Sequence, residues 1–156
     1  MAGVEESIEI HAPIDEVFAI VTDPRRGPDW NNNILEVANV SATPVGPGTT
    51  WEQTVMMAGR RARLKCRVVD FRPPHGGMVE VSGDQRGRLW TECRPTGKGT
   101  LVIQGMDFVP PGGVLGRIGI RMAEGMIRRE LARTLERQRS VVENELRRDY
   151  GPGTRR

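Results

Sequence analysis

Histidine, cysteine and tyrosine are scarce in this chain, with two, two and one among 156 residues. That scarcity removes much of the usual catalytic repertoire. Cys66 and Cys93 form no CxxC pair, and with His11 and His75 far apart they give no zinc spacing, so neither a metal nor a cofactor is expected. The thiols read as buried residues of a reducing compartment. Nucleophilic catalysis needs a serine or cysteine beside a base. Both histidines are badly placed for it: His11 ends a strand on its polar side, and His75 sits in the turn PPHGG. Aromatic residues are only 4% of the chain and never interleave with a basic run, which argues against nucleic acid as a partner. Lysine is nearly missing too. Only Lys65 and Lys98 among the 23 basic residues are lysine, a bias that fits a GC-rich genome better than a binding site, and the net charge is only +3. No apolar run approaches the roughly 20 residues needed to cross a bilayer, and the opening MAGVEESIEI lacks the basic-then-apolar layout of a signal peptide. The expectation is a cytoplasmic protein without membrane insertion.

What is present is a globular composition, 37% hydrophobic and 28% charged, at the size of one domain. Residues 4–11 alternate over their second half, placing Ile8 and Ile10 on one strand face. PIDEVFAIVTD follows with proline at a helix start, Asp15 and Glu16 in the first turn, and an end near Asp23, since the residue before a proline is pushed out of the helical region. Strands are predicted at 34–41, 49–57, 61–71, 78–83, 87–94 and 100–108, separated by the turn clusters TPVGPG, AG, PPHGG, GDQR and PTGKG. After PPGG at 110–113 the pattern becomes helical. From Val114 to about Arg148 there is no proline, and Leu115, Ile118, Met122, Met126, Ile127, Leu131, Leu135, Val142 and Leu146 form a stripe. The predicted domain spans 1–148, and 149–156 reads as a disordered tail. A meander of this kind has one face to cover, and the long helix is the large element left to cover it.

The inner face can be read from parity. Ala62, Leu64, Cys66 and Val68 alternate with Arg61, Arg63, Lys65 and Arg67, so the first set faces the core. A two- or four-residue turn at Ala58-Gly59 puts Trp51, Gln53 and Val55 on the same face, whereas a three-residue turn brings Thr54 and Met56 inward. An even loop at Pro95–Gly99 aligns Cys93 with Val102, Thr91 with Gln104 and Leu89 with Met106. The opposite face then holds Trp90, Leu101 and Ile103, an apolar outer patch that points to a homodimer contact. The inner face thus mixes apolar groups with Gln53, Thr91, Gln104 and, continuing the alternation, Asp70. Each unpartnered buried amide costs about 1–3 kcal/mol, so several together imply water or a ligand. The expected result is a cavity between sheet and helix, with Met122 and Met126 as adaptable contacts; the alternative is a filled core with satisfied glutamines.

Three phrases in chain order carry a resemblance: I-x-A-P-I-D-E-V-F-A-I-V-T-D-P-x-x-x-P-x-W (10–30), V-G-P-G-T-T-W (45–51) and G-K-G-T-L-V (97–102). With the order of elements, the chain from 4 to about 146 resembles the START-like SRPBCC superfamily, its polyketide cyclase/dehydrase-type branch related to the birch-pollen allergen. The resemblance implies an α+β helix-grip fold: a curved seven-stranded antiparallel sheet around a long C-terminal helix, with two short helices between the first two strands. It implies a deep, mostly apolar cavity for lipids, polyketides or other hydrophobic small molecules. The short helices form one wall of its mouth, which places Trp30 and Asn31 to Asn33 there.

Combined with the parity argument, the expected ligand-binding set is Trp30, Asn31, Trp51, Gln53, Val55, Leu64, Cys66, Thr91, Cys93, Gln104, Met106, Phe108, Met122 and Met126. Trp30 is expected to anchor a lid, so that Trp30→Ala weakens binding more than stability. The leading expectation is a binder of a polyketide-like or aromatic natural product, in secondary-metabolite (antibiotic) biosynthesis or resistance. Two alternatives use the same cavity. One is a cofactor-free polyketide cyclase/aromatase with Asp70, Gln53 or Thr91 in proton transfer. The other is a self-sacrificing resistance protein for enediyne antibiotics. No motif here aligns one to one with a cyclase's catalytic residues. A protein-interaction module rests only on the apolar outer patch.

Overall fold

A computed structural model describes residues 2–109 and 117–149; PPGG at 110–113, Leu115 and the tail beyond Asp149 lie outside the described residues. Strand β1 (Ala2–Ile10) leads into helix α1 (Ile14–Val21), which begins directly after Pro13 with Asp15 and Glu16 in its first turn. Its end is capped by Thr22, whose Oγ1 donates to the Phe18 carbonyl at 2.6 Å. Asp23 is extended, as a residue before proline must be, and its Oδ1 accepts from the Arg25 amide at 3.0 Å to start a 3-10 turn over Pro24–Asp29. The two short helices between the first two strands are therefore both present. The remaining strands are β2 (Ile34–Ala38), β3 (Thr50–Met57), β4 (Arg60–Arg72), β5 (Gly76–Gly83), β6 (Gly87–Pro95) and β7 (Thr100–Phe108), followed by helix α2 (Arg117–Asp149). They form one antiparallel sheet in the order β1-β7-β6-β5-β4-β3-β2, a curled half-barrel that α2 grips along β1.

The β3–β4 turn takes the two-residue form. Ala58 and Gly59 have φ of 49° and 77°, the paired positive values of a hairpin turn that matches strand twist. This fixes Trp51 opposite Cys66, Gln53 opposite Leu64 and Val55 opposite Ala62. The second hairpin likewise pairs Cys93 with Val102, Thr91 with Gln104 and Leu89 with Met106. On the convex side Trp90 lies across Gly105, where a Cβ would run into the indole, and its Nε1 donates to the Glu5 carboxylate at 2.7 Å.

Asp70 requires a correction. The ladder between β4 and β5 shifts between Val68 and Asp70, so Val69 is an extra residue that reverses the parity beyond it. Phe71, not Asp70, takes the inward place, opposite Gly77, and Asp70 turns outward to accept from Arg72 Nε at 2.9 Å.

The apolar interior forms two clusters. The first joins Ile10, Val17, Phe18, Cys93, Val102, Leu135 and Val142, where α1 and the C-terminal half of α2 close one end of the sheet. The second joins Trp51, Val55, Ala62, Leu64, Cys66 and Val68 on the inner face of β3 and β4. Phe71 packs against both, its ring centroid 5.4 Å from that of Phe18.

Candidate functional site

The geometry of the concave face follows from where burial stops. At the closed end Cys93 and Val102 are 2% and 0% exposed. Further along the same two strands Leu89, Thr91, Gln104, Met106 and Phe108 also point inward by register, yet all are only half-buried. Helix α2 explains the difference. Leu131, Thr134, Leu135, Gln138 and Val142 fall on one buried face at helical spacing. Towards the N-terminus the same face continues through Ile127, Glu124 and Ile120, which are only half-buried. The helix seals one end of the half-barrel and leaves inward side chains of β6 and β7 uncovered at the other. The uncovered inner face of β6 and β7, beside Trp51 and Gln53 of β3, is the candidate site.

The sequence-derived residues divide on this geometry. Trp51, Gln53, Val55, Leu64 and Cys66 come together on β3 and β4, and Thr91, Gln104, Met106 and Phe108 on β6 and β7. Cys93 belongs to the sealed end, packed with Ile10, Val17 and Leu135, and is corrected from site to core. Met122 and Met126 are corrected too: they lie on the exposed side of α2, because the stripe read along the helix mixes two faces that the sheet does not cover together. Trp30 is 5% exposed and joins neither cluster. It lies under the Arg26 guanidinium, 6.0 Å from the ring centroid, while Arg26 bridges to Asp29 at 2.7 Å and to Glu145 of α2 at 2.6 Å. Asn31 turns its Oδ1 to the Asn33 amide at 2.9 Å and so shapes the entry to β2.

The polar groups on this face are partly satisfied. Trp51 Nε1 donates to Gln53 Oε1 at 3.2 Å, which accounts for the glutamine acceptor expected to need a ligand. Across β1, β7 and β6, the register lines up Glu6, Gln104 and Thr91. Gln104 Nε2 donates to Thr91 Oγ1 at 3.4 Å, and Glu6 meets Arg128 of α2 at 3.5 Å. On the helix side Gln138 is 1% exposed and its Oε1 accepts no hydrogen bond. Gln138, Thr134 and Glu6 were missed in sequence because a search for apolar stripes passes over polar residues. The spacing of Gln138, three after Leu135 and four before Val142, was the available signal.

Chemically the site is quiet. Burial pushes both thiols, Cys66 and Cys93, up to about 12, so neither is a nucleophile near neutral pH. Among the described residues, no group of three or more His, Cys, Asp or Glu side chains is placed to hold a metal ion. The face can take up apolar surface and orient it through Thr91 and Gln104. No described helix is long and apolar enough to cross a membrane.

Solved structures share this architecture. TTHA0849 from Thermus thermophilus superposes with a TM-score of 0.76 at 16% identity, covering 90% of this chain and 96% of that one. A START superfamily protein from Mycobacterium smegmatis gives 0.66 at 18% identity, covering 95% and 99%. The di-domain ARO/CYC StfQ of the steffimycin biosynthetic pathway gives 0.73 at 11% identity, covering 93% of this chain and 52% of that one. At these identities the likeness shows the helix-grip fold. No curated protein matches the sequence. A family model does, over residues 1–143, and the chain belongs to the family described as polyketide cyclase / dehydrase and lipid transport.

Proposed function

We propose that the concave face binds a hydrophobic small molecule of the polyketide or aromatic natural-product class. The observation that carries this reading is the row of inward but half-buried side chains on β6 and β7, Leu89, Thr91, Gln104, Met106 and Phe108, beyond the point where α2 stops covering the sheet. Filling that space with ligand removes apolar surface from water at about 25 cal/mol per Å² before ordering costs. Thr91 and Gln104 set orientation. Family membership supports the ligand class, and the fold shared with a biosynthetic ARO/CYC supports a place in secondary metabolism or resistance. Trp51 stands on the inner face, so titration with a planar aromatic polyketide is read by its emission together with the melting temperature. Saturating ligand that moves neither refutes the proposal.

The family description favours a second reading, polyketide cyclase/aromatase activity in the same chamber. Its residues are now Gln53 and Thr91, since Asp70 faces solvent beside Arg72. Incubation with a poly-β-keto chain separates the two: an unchanged product distribution leaves the binder.

A further inference from the structure

The convex face of the sheet carries a charge pattern unrelated to the chamber. Arg61, Arg63, Lys65 and Arg67 project outward from β4, alternating with buried Ala62, Leu64, Cys66 and Val68. None of the four, nor Arg86 in the β5–β6 turn, makes an ion pair among the described residues. Arg25, Arg26, Arg72, Arg88, Arg94 and five arginines of α2 all do. The acidic groups around the row are sparse and partly committed. Glu52 stands opposite Lys65 and takes a hydrogen bond from Asn39 at 3.0 Å; Glu80 stands opposite Arg67; Asp84 Oδ2 accepts from the Arg63 amide at 2.8 Å. Beside the row the sheet surface dips into a depression of about 820 Å³, lined by Lys65, Arg67, Arg86 and Arg88 with Glu52 and Glu80.

We propose that this row is a docking surface for an acidic helix of a partner protein. Alternate residues of a strand are about 6.6–6.8 Å apart, so the four cations cover about 20 Å. Carboxylates at every fourth position of a helix rise about 6.0 Å per step, or about 18 Å over the same number of intervals. The two repeats stay in step within the reach of an arginine side chain. A nucleic acid fits worse. Its phosphates form an unbroken string, one charge per nucleotide on each strand. Such a string would meet Glu52 and Glu80 on either side of the row, and the outward neighbours Thr50, Thr54 and Ser82 offer no ring on which to stack a base. Docking breaks no ion pair of the row, because its cations have none to give up, and rim charges of this kind chiefly set association rate and specificity.

The test uses the full chain and a rigid designed helical bundle that displays four glutamates at every fourth position of one exposed helix. The control bundle has the same glutamates spread around the helix. The aligned bundle is expected to bind at least about tenfold more tightly at about 50 mM salt, and the preference is expected to shrink as salt rises. Combining Arg63→Gln, Lys65→Gln and Arg67→Gln removes the preference while the melting temperature and binding of an aromatic polyketide are unchanged. The pair Arg121→Gln and Arg129→Gln, two arginines of α2 without an ion pair among the described residues, leaves it intact. A bundle with lysines in the same positions gives the same loss without altering the protein. Equal binding of the two glutamate bundles overturns the proposal. So does tighter binding of a duplex oligonucleotide or of phosphatidylglycerol vesicles, or a preference that survives the triple substitution.

Discussion

Replacing Gln138 by methionine makes the sharpest test of the grip between α2 and the sheet. Gln138 sits on the gripping face of α2 between Leu135 and Val142, 1% exposed, with an Oε1 that accepts no hydrogen bond. An uncompensated buried acceptor costs about 1–3 kcal/mol. Methionine has nearly the same length and volume, so the exchange removes the orphan oxygen without opening a cavity or overfilling the face. In the ligand-free protein Gln138→Met is therefore expected to raise stability by about 1–3 kcal/mol. For a chain of this length that is a rise in Tm of about 2–4 °C per kcal/mol. Urea unfolding checks it, with a higher midpoint at unchanged slope. Gln138 lies at the sealed end with Leu135 and Val142, so the ligand-induced rise in Tm is expected to be the same in the variant and the parent. A destabilisation of about 1 kcal/mol or more in the ligand-free protein would refute the reasoning, since it would mean the amide is already satisfied.

Three further outcomes follow from the same geometry. Trp30→Ala is expected to cost about 3–5 kcal/mol in urea unfolding, because the indole is 5% exposed; near-wild-type stability with lost ligand binding would restore the lid role first expected of it. Ala58→Asn is expected to stabilise the protein by up to about 1 kcal/mol, since Ala58 holds a φ of 49° in the β3–β4 turn and asparagine tolerates that region; a drop in midpoint denies the turn assignment. Burial raises both thiols to about 12, so Cys66 and Cys93 are expected to stay unlabelled by iodoacetamide between neutral pH and pH about 9 in the folded protein. They should react at ordinary rates once urea unfolds the chain, and rapid labelling of the native protein contradicts the assigned burial.

What could be read in sequence was whatever repeats. Strand parity in β4 and the short turns on either side of it determine the inner face, and both hairpin registers follow from turn length alone. Asp70 was misread because a bulge leaves no mark in an alternating pattern until one residue too many has passed; Val69, apolar and exposed, is that residue. The helix was misread for a related reason. Apolar residues at roughly helical spacing can belong to more than one side of a helix. Met126 and Leu131 are five apart, which puts Met122 and Met126 about half a turn round α2 from Leu131 and Leu135 and so in solvent.

The departures bear on chemistry more than on fold. With Asp70 outward, the carboxylate that the register places on the concave face beside Gln104 is Glu6, and Arg128 of α2 faces it at 3.5 Å. That ion pair ties β1 to α2 and commits the carboxylate to a structural contact. Thr91 and the amides of Gln53 and Gln104 hold and orient, and they do not abstract protons at neutral pH. With Glu6 engaged by Arg128 among the described residues, a cyclisation on this face would draw on the reactivity of the bound chain itself, with the protein supplying shape. A template acts through proximity and orientation, which choose among the cyclisations open to the chain as well as speed them. Product distribution, together with turnover, is the measurement in which such an activity would be visible.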